Sequence, residues 1–272
     1  MVRSLWTGAT GMIAQQLNVD NISNNLANVN TTGYKAEVME FKSLLYQTIQ
    51  TRTTTANGAN KPIGAEVGLG VRNSSITSIF TDGNLLETPG EANFALNGRG
   101  FFGIRGADGN TYYTRNGNFV FAVGSEGITL ETTDGLPVLD SEGEPIVLED
   151  DDIVTSKITV GKDGTPYYPD DRKIPQSLDI TIGLWQFNNP AGLSKEGDSL
   201  YAVTDASGEE MNEAENENLT KTKLIQGYLE GSNVQIADEM VNLIVAQRAY
   251  EMNSKVITTS DEMLQQANQL KR

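Results

Sequence analysis

The sequence predicts an α+β chain: a helix at each terminus, the two pairing as a coiled coil, and a central antiparallel β-rich barrel or sandwich domain between them. Three observations predict it. Apolar residues recur at a seven-residue step near both ends, which lines one face of a helix. The middle holds short runs of β-branched and aromatic residues. Asn-Gly and Asp-Gly pairs separate those runs, and both favour the positive φ angles of tight hairpins.

The N-terminal stripe is Leu5, Met12, Val19 and Leu26, with Ile22 and Val29 beside the last two. Its helix is expected from about Ser4 to Ala27, because Asn28, Asn30, Thr31, Thr32 and Gly33 are poor helix interiors and good terminators. At the other end Ile236, Leu243, Tyr250, Ile257 and Leu264 repeat the step, and Val256, Met263 and Leu270 widen it. A helix over 233–272 is expected there, opened by Ser232 and Gln235 at the spacing of a capping box. Each buried stripe residue supplies on the order of 1.5 to 3 kcal/mol. Ordering the backbone costs about 1 to 2 kcal/mol for every residue, so a narrow stripe does not sustain a long isolated helix. The stripes must meet each other or other copies.

These elements divide the chain into an assembly domain of 1–35 plus 226–272, an extended arm over 36–74 and a β-rich domain over 75–225. Phe41, Leu44, Leu45 and Ile49 suggest one or two further helical turns, and the Thr-, Asn- and Gly-rich stretch from Gln47 to Gly70 reads as an arm without a core. Strands are expected at Phe101, Phe102 and Ile104; at Phe119 to Phe121; at Ile146 to Leu148; at Ile158 to Val160; and at Ile180, Ile182 and Leu184.

Composition narrows the function. The net charge of -16 lies in the middle: residues 1–35 carry +1 and 234–272 carry -1. Near-neutral ends can approach copies of themselves, whereas the acidic middle stays solvated and does not suit nucleic acid. The chain has no cysteine and no histidine, which removes disulfides, thiolate sites and the usual nucleophile and base pairs. No uninterrupted apolar run marks a cleavable signal or a membrane span, so membrane insertion is not expected. Gly98, Gly100 and Gly103 spell a dinucleotide pattern but sit in a strand-like context, where they read as turn and close-packing positions. A carboxylate pair of the glycosidase kind, or a cation site at Glu149 to Asp152 or Asp170 to Asp171, is weighed against plain solvated acidic loops, and the loops are favoured. No catalytic, metal or cofactor-binding residue is assigned.

The segment from Ile22 to Lys35, with Asn24, Asn25, Leu26, Ala27, Asn28, Thr32 and Gly33 at its centre, resembles the signature of bacterial flagellar rod and hook proteins. The run from Val241 to Lys255 is similar to the opposite end of that family. The central Asn97 to Phe102 and Tyr113 to Gly117 segments point to its distal-rod members, as does the Gln47 to Gly70 stretch. The resemblance implies a structural axial subunit, without enzymatic activity or cofactor, whose copies form a helical, hollow tube carrying motor torque to the hook. Its implied partners are further copies, proximal rod, hook, rod-cap and P- and L-ring proteins, and the flagellar export apparatus that delivers it without a cleaved signal to the periplasm-spanning rod. Other readings are a proximal rod or hook-type subunit, a wall-active glycosidase on helical arms, and a polysaccharide-binding module using Trp185, Tyr167 and Tyr168.

Overall fold

The computed structural model describes residues 2–50, 65–124, 127–148, 154–169, 175–178, 180–216 and 218–270. Two compact units result, one of Met1–Ala27, Glu37–Thr77 and Gln235–Arg272, the other of Asn28–Ala36 and Ser78–Val234.

The first unit is built on α1 (Val2–Ala27) and α2 (Ile236–Gln269). The helices run antiparallel, since Ser4 Oγ lies 3.1 Å from Ser260 Oγ while Asn25 Nδ2 donates to Glu239 Oε1 at 3.1 Å. Small side chains set the approach. A Cβ on Gly8 would come within 3.0 Å of the Ile257 side chain, and one on Gly11 within 2.8 Å of the Asn253 amide. Ala14, Ala246 and Ser260 are buried along the same line. The predicted capping box does not form: Gln235 is the N-cap of α2 without a side-chain hydrogen bond. The hydroxyl of Ser232 accepts instead from the Val234 amide at 3.3 Å, closing a local turn before the helix begins. Asp238 and Glu239 in the first turn complement the helix dipole.

The arm of this unit is made of strands β1 (Glu37–Ser43), β2 (Tyr46–Gln50), β3 (Ala65–Gly68) and β4 (Val71–Ser78). The helical turns expected around Phe41 to Ile49 are therefore strands. Their backbone groups bond across the arm, Leu44 N to Gly70 O at 2.9 Å and Leu69 N to Leu45 O at 3.2 Å, which a helical turn would forbid. β1 pairs with β4, and β2 pairs antiparallel with β3 from Tyr46 opposite Gly68 to Gln50 opposite Ala65. Within the Gln47 to Gly70 stretch, residues 51–64 lie outside the described residues.

The second unit holds the remaining strands: β5 (Leu85–Glu87), β6 (Phe94–Asn97), β7 (Phe101–Arg105), β8 (Thr111–Thr114), β9 (Phe119–Val123), β10 (Ile128–Thr132), β11 (Val147–Leu148), β12 (Thr159–Val160), β13 (Pro166–Pro169), β14 (Pro175–Ser177), β15 (Leu184–Gln186), β16 (Ser194–Gly197), β17 (Leu200–Ala202), β18 (Met211–Asn212), β19 (Lys223–Gln226) and β20 (Tyr228–Glu230). Its largest sheet has the order β16-β17-β8-β7-β15-β18. The sheet is open, and the other described sheets have two or three strands, so no closed barrel is seen among the described residues. Of its two edge strands, β18 has two residues and β16 is bulged between Lys195 and Gly197. Alternation along β7 builds a core on each face: Phe102 and Ile104 join Phe94, Phe119, Leu130 and Val138, whereas Phe101 joins Tyr113, Trp185, Phe187 and Tyr201. Of the expected strand at Ile180 to Leu184, only Leu184 lies within a named strand, β15, and Ile182 makes a single bridge to Asp140.

Gly103 is a close-packing position, because a Cβ there would fall 2.3 Å from Cζ3 of Trp185. No helix follows these glycines, so they carry no dinucleotide turn. Trp185 is buried, which removes it from an exposed aromatic platform with Tyr167 and Tyr168. The acidic runs Glu149 to Asp152 and Asp170 to Lys173 lie outside the described residues.

Candidate assembly surface

The motif between Asn24 and Gly33 straddles the boundary of the two units. In the first unit, Asn25 is buried and its carboxamide doubles for a strand partner: Nδ2 donates to the Glu37 carbonyl at 2.8 Å and Oδ1 accepts from the Glu37 amide at 2.9 Å. Asn21, one turn earlier, donates to the same carbonyl at 2.9 Å. Leu26 is half-buried, and Asn24 and Ala27 are exposed at the end of α1.

The rest of the motif folds into the second unit. Thr31 Oγ1 bonds Asn28 Oδ1 at 3.1 Å, and Thr32 Oγ1 donates to Asn116 Oδ1 at 2.8 Å. Gly33 has a φ of 70, and a Cβ there would meet the Asn116 amide nitrogen at 2.7 Å, so two segments singled out in the sequence pack against each other. Lys35, Arg115 and Glu230 are all buried beside them. Lys35 Nζ pairs with Glu230 Oε1 at 2.5 Å and donates to the Thr81 carbonyl at 2.7 Å. Arg115 reaches Asp82 Oδ1 at 3.0 Å, the Gly100 carbonyl at 2.9 Å and Glu230 Oε2 at 3.7 Å. Burial lowers the pKa of Lys35 from its ordinary value, and the Arg115 charge adds to this while Glu230 opposes it. Two cations face two carboxylates here, so the cluster is neutral.

Of the predicted interface residues, Ile22 is buried and Leu5, Met12, Val19, Leu26, Leu243, Ile257 and Leu264 are half-buried in the helical unit. Val29 is half-buried in the second unit, and Ile236 and Tyr250 are exposed. The sequence reading missed a second apolar stripe. Val241, Val245 and Met252 join Val256, Met263 and Leu270, all exposed. At 100° per residue these six fall within an arc of about 60° on α2. On α1, Trp6, Ile13 and Leu17 form a similar exposed stripe. The 4-7-4-7-7 spacing from Val241 onward is the signal that would have found the first of these.

The buried carboxylate Glu213 is saturated by Gln186 Nε2 at 2.8 Å, Thr222 Oγ1 at 2.6 Å and the Thr222 amide at 2.7 Å, which makes it a structural tie. No group of three or more ligating side chains is placed to hold a metal among the described residues. No described helix is long and apolar enough to cross a membrane.

A helix at each end of a chain whose middle is β-rich, with the Asn24 to Gly33 motif after the first helix, is the arrangement that the resemblance to flagellar rod and hook proteins implies. Family models match in that order: the flagella basal body rod protein model at residues 5–35, the flagellar hook protein FlgE/F/G D1 domain at 95–168 and the flagellar basal body rod FlgEFG protein C-terminal model at 225–270. Flagellar basal-body rod protein FlgG of Borreliella burgdorferi is 43% identical, with all of both chains covered. The FlgG of Agrobacterium fabrum is 44% identical over 96% of this chain and 97% of its own, and that of Bacillus subtilis 38% identical over the whole of both. The chain belongs to the FlgG family of flagellar basal-body rod proteins. It is a structural subunit of the basal-body rod.

Proposed function

We propose that copies of this chain stack helically into the distal rod, a hollow shaft that transmits torque to the hook, with the terminal helices pairing as an inner coiled-coil layer. The observation that carries this reading is the pair of exposed apolar stripes on α1 and α2. Contiguous apolar surface of this kind marks a protein contact, and helices of near-neutral net charge offer little repulsion to copies of themselves. The domains read from the sequence fit this division of labour, with 1–35 and 226–272 for assembly, 36–74 as an arm and 75–225 facing outward.

The arm supports the same reading. The pair β2 and β3 is two-stranded and exposes Leu45, Tyr46, Ile49 and Val67, and such a hairpin is marginal in water without cover. A neighbouring copy supplies the cover, stiffening the tube. The acidic middle then meets the ring proteins, and proximal rod, hook and rod-cap proteins contact the two ends. Delivery is by the flagellar export apparatus.

Electron microscopy of basal bodies from cells lacking the gene tests the assignment. Rods that stop short and carry no hook are expected. Complete basal bodies would contradict it.

A further inference from the structure

A groove of about 420 Å³ between α1 and α2 is lined by Gln16, Val19, Gln247, Tyr250 and Glu251. We propose that it receives Trp6 from a second copy of this chain. The inference rests on the assembly reading above and names one contact within it.

Trp6 is 64% exposed, the largest apolar side chain left in solvent on either helix. Tryptophan is the side chain that most often anchors an interface by filling a pocket on the partner. The groove offers apolar walls, Val19 and the half-open ring of Tyr250, and the Gln16 and Gln247 carboxamides can accept the indole N–H, the hydrogen bond a buried Trp requires. The molecule's own Trp6 is excluded. It lies ten residues before Gln16 on the same rigid helix, roughly 15 Å along the axis.

Charge favours a copy of this chain as the occupant. Arg3, one turn before Trp6, is the sole charged side chain in the first nineteen residues. The first sixteen residues of α2 hold Asp238, Glu239 and Glu251 against Arg248. Glu251 lies at the groove, in an exposed pair with Arg248 that contributes little and can be exchanged. Placing Trp6 in the groove therefore brings the positive start of one α1 toward the negative half of another α2.

The two surfaces also differ in direction. Trp6 shares a face of α1 with Ile13 and Leu17, roughly a third of a turn around the helix from Gln16 and Val19. Knob and hole are therefore different patches of one subunit, and in the helical stacking proposed above each copy gives its Trp6 to one neighbour and receives that of another, a heterologous contact. Such contacts propagate into an open helical array rather than closing as a two-fold dimer.

The absence of native cysteine permits a clean test on rods assembled from the full chain. Thr7→Cys and Asp20→Cys are exposed positions beside the knob and the hole that leave Arg3, Trp6, Gln247 and Tyr250 in place, and a flexible bis-maleimide joins thiols brought close. The double variant is expected to give a ladder of dimers, trimers and longer species. Each single variant gives none, and the two single variants expressed together give dimers alone. That mixture carries the readout if the double variant fails to assemble. Trp6→Ala in the double background is expected to lower the ladder yield at least tenfold. Complete rods with no ladder, or dimers from Thr7→Cys by itself, would overturn the seating while leaving the assembly reading intact. Failure of the unaltered chain to appear in rods would sink that reading and this contact with it.

Discussion

Lys35, Arg115 and Glu230 are among the largest fully buried side chains of the second unit, and Glu230 supplies the counter-charge of Lys35 and, with Asp82, that of Arg115. Removing one partner from a buried pair leaves an uncompensated charge. Lys35→Met is therefore expected to cost about 3 to 5 kcal/mol, measured by denaturant unfolding of the full chain; an unchanged midpoint would contradict the pairing. Lys35 and Arg115 stood in segments marked by the sequence, but Glu230 did not, because its partner lies 195 residues away and nothing local signals it. Two groups set the alkaline behaviour with opposite sign. The pKa of Lys35 lies below its unfolded value of 10.5, so the unfolded chain binds the extra proton and stability rises with pH up to that value. Burial, reinforced by the Glu210 carboxylate, raises the Tyr113 phenol above 10.0, so its contribution is fully present below pH 10.0 and is lost as the pH climbs further. Thermal melts should show stability falling above that pH, with Tyr113→Phe flattening the fall. An identical pH profile for the variant would rule out Tyr113 as the cause.

The helix α2 carries two functions on two faces. One face packs on α1 through Ala246, Asn253, Ser260 and the half-buried Leu243, Ile257 and Leu264; the other presents Val241, Val245, Met252, Val256, Met263 and Leu270. Val245 is 62% exposed, so Val245→Asp should change monomer stability by no more than about 0.5 kcal/mol and yet prevent rods from forming. Leu243→Asp should lower both, because it also puts a charge against α1. Circular dichroism of the monomer with electron microscopy of the rods separates the two. Normal rods from Val245→Asp would reject the outer stripe. A strict seven-residue search finds Leu243 and its successors and takes Val256, Met263 and Leu270 as widening that stripe, but passes over Val241, Val245 and Met252, where four-residue steps intervene. The arm was misread for a related reason: Phe41, Leu44, Leu45 and Ile49 have the spacing of a helix face, while the strand partners that decide the matter lie some twenty residues on.

Charge and connectivity were legible over the whole molecule. Near-neutral ends, an acidic middle, two terminal helices and a run of hairpins all follow from composition and periodicity, and the two terminal motifs carried the family. Sheet order was not legible, since β15 lies beside β7 although eighty residues separate them. Of the barrel or sandwich expected, no closed barrel is seen among the described residues: closure depends on which edges meet, and local sequence does not encode that. The central claim is that the outward stripes of the terminal helices are the contacts between copies. Helical reconstruction by electron cryomicroscopy of the isolated rod tests it most directly. The account predicts Val241, Val245, Met252, Val256, Met263 and Leu270 buried against neighbouring copies in the inner layer. A rod in which those side chains line solvent, with subunits joined through their β-rich bodies alone, would contradict it.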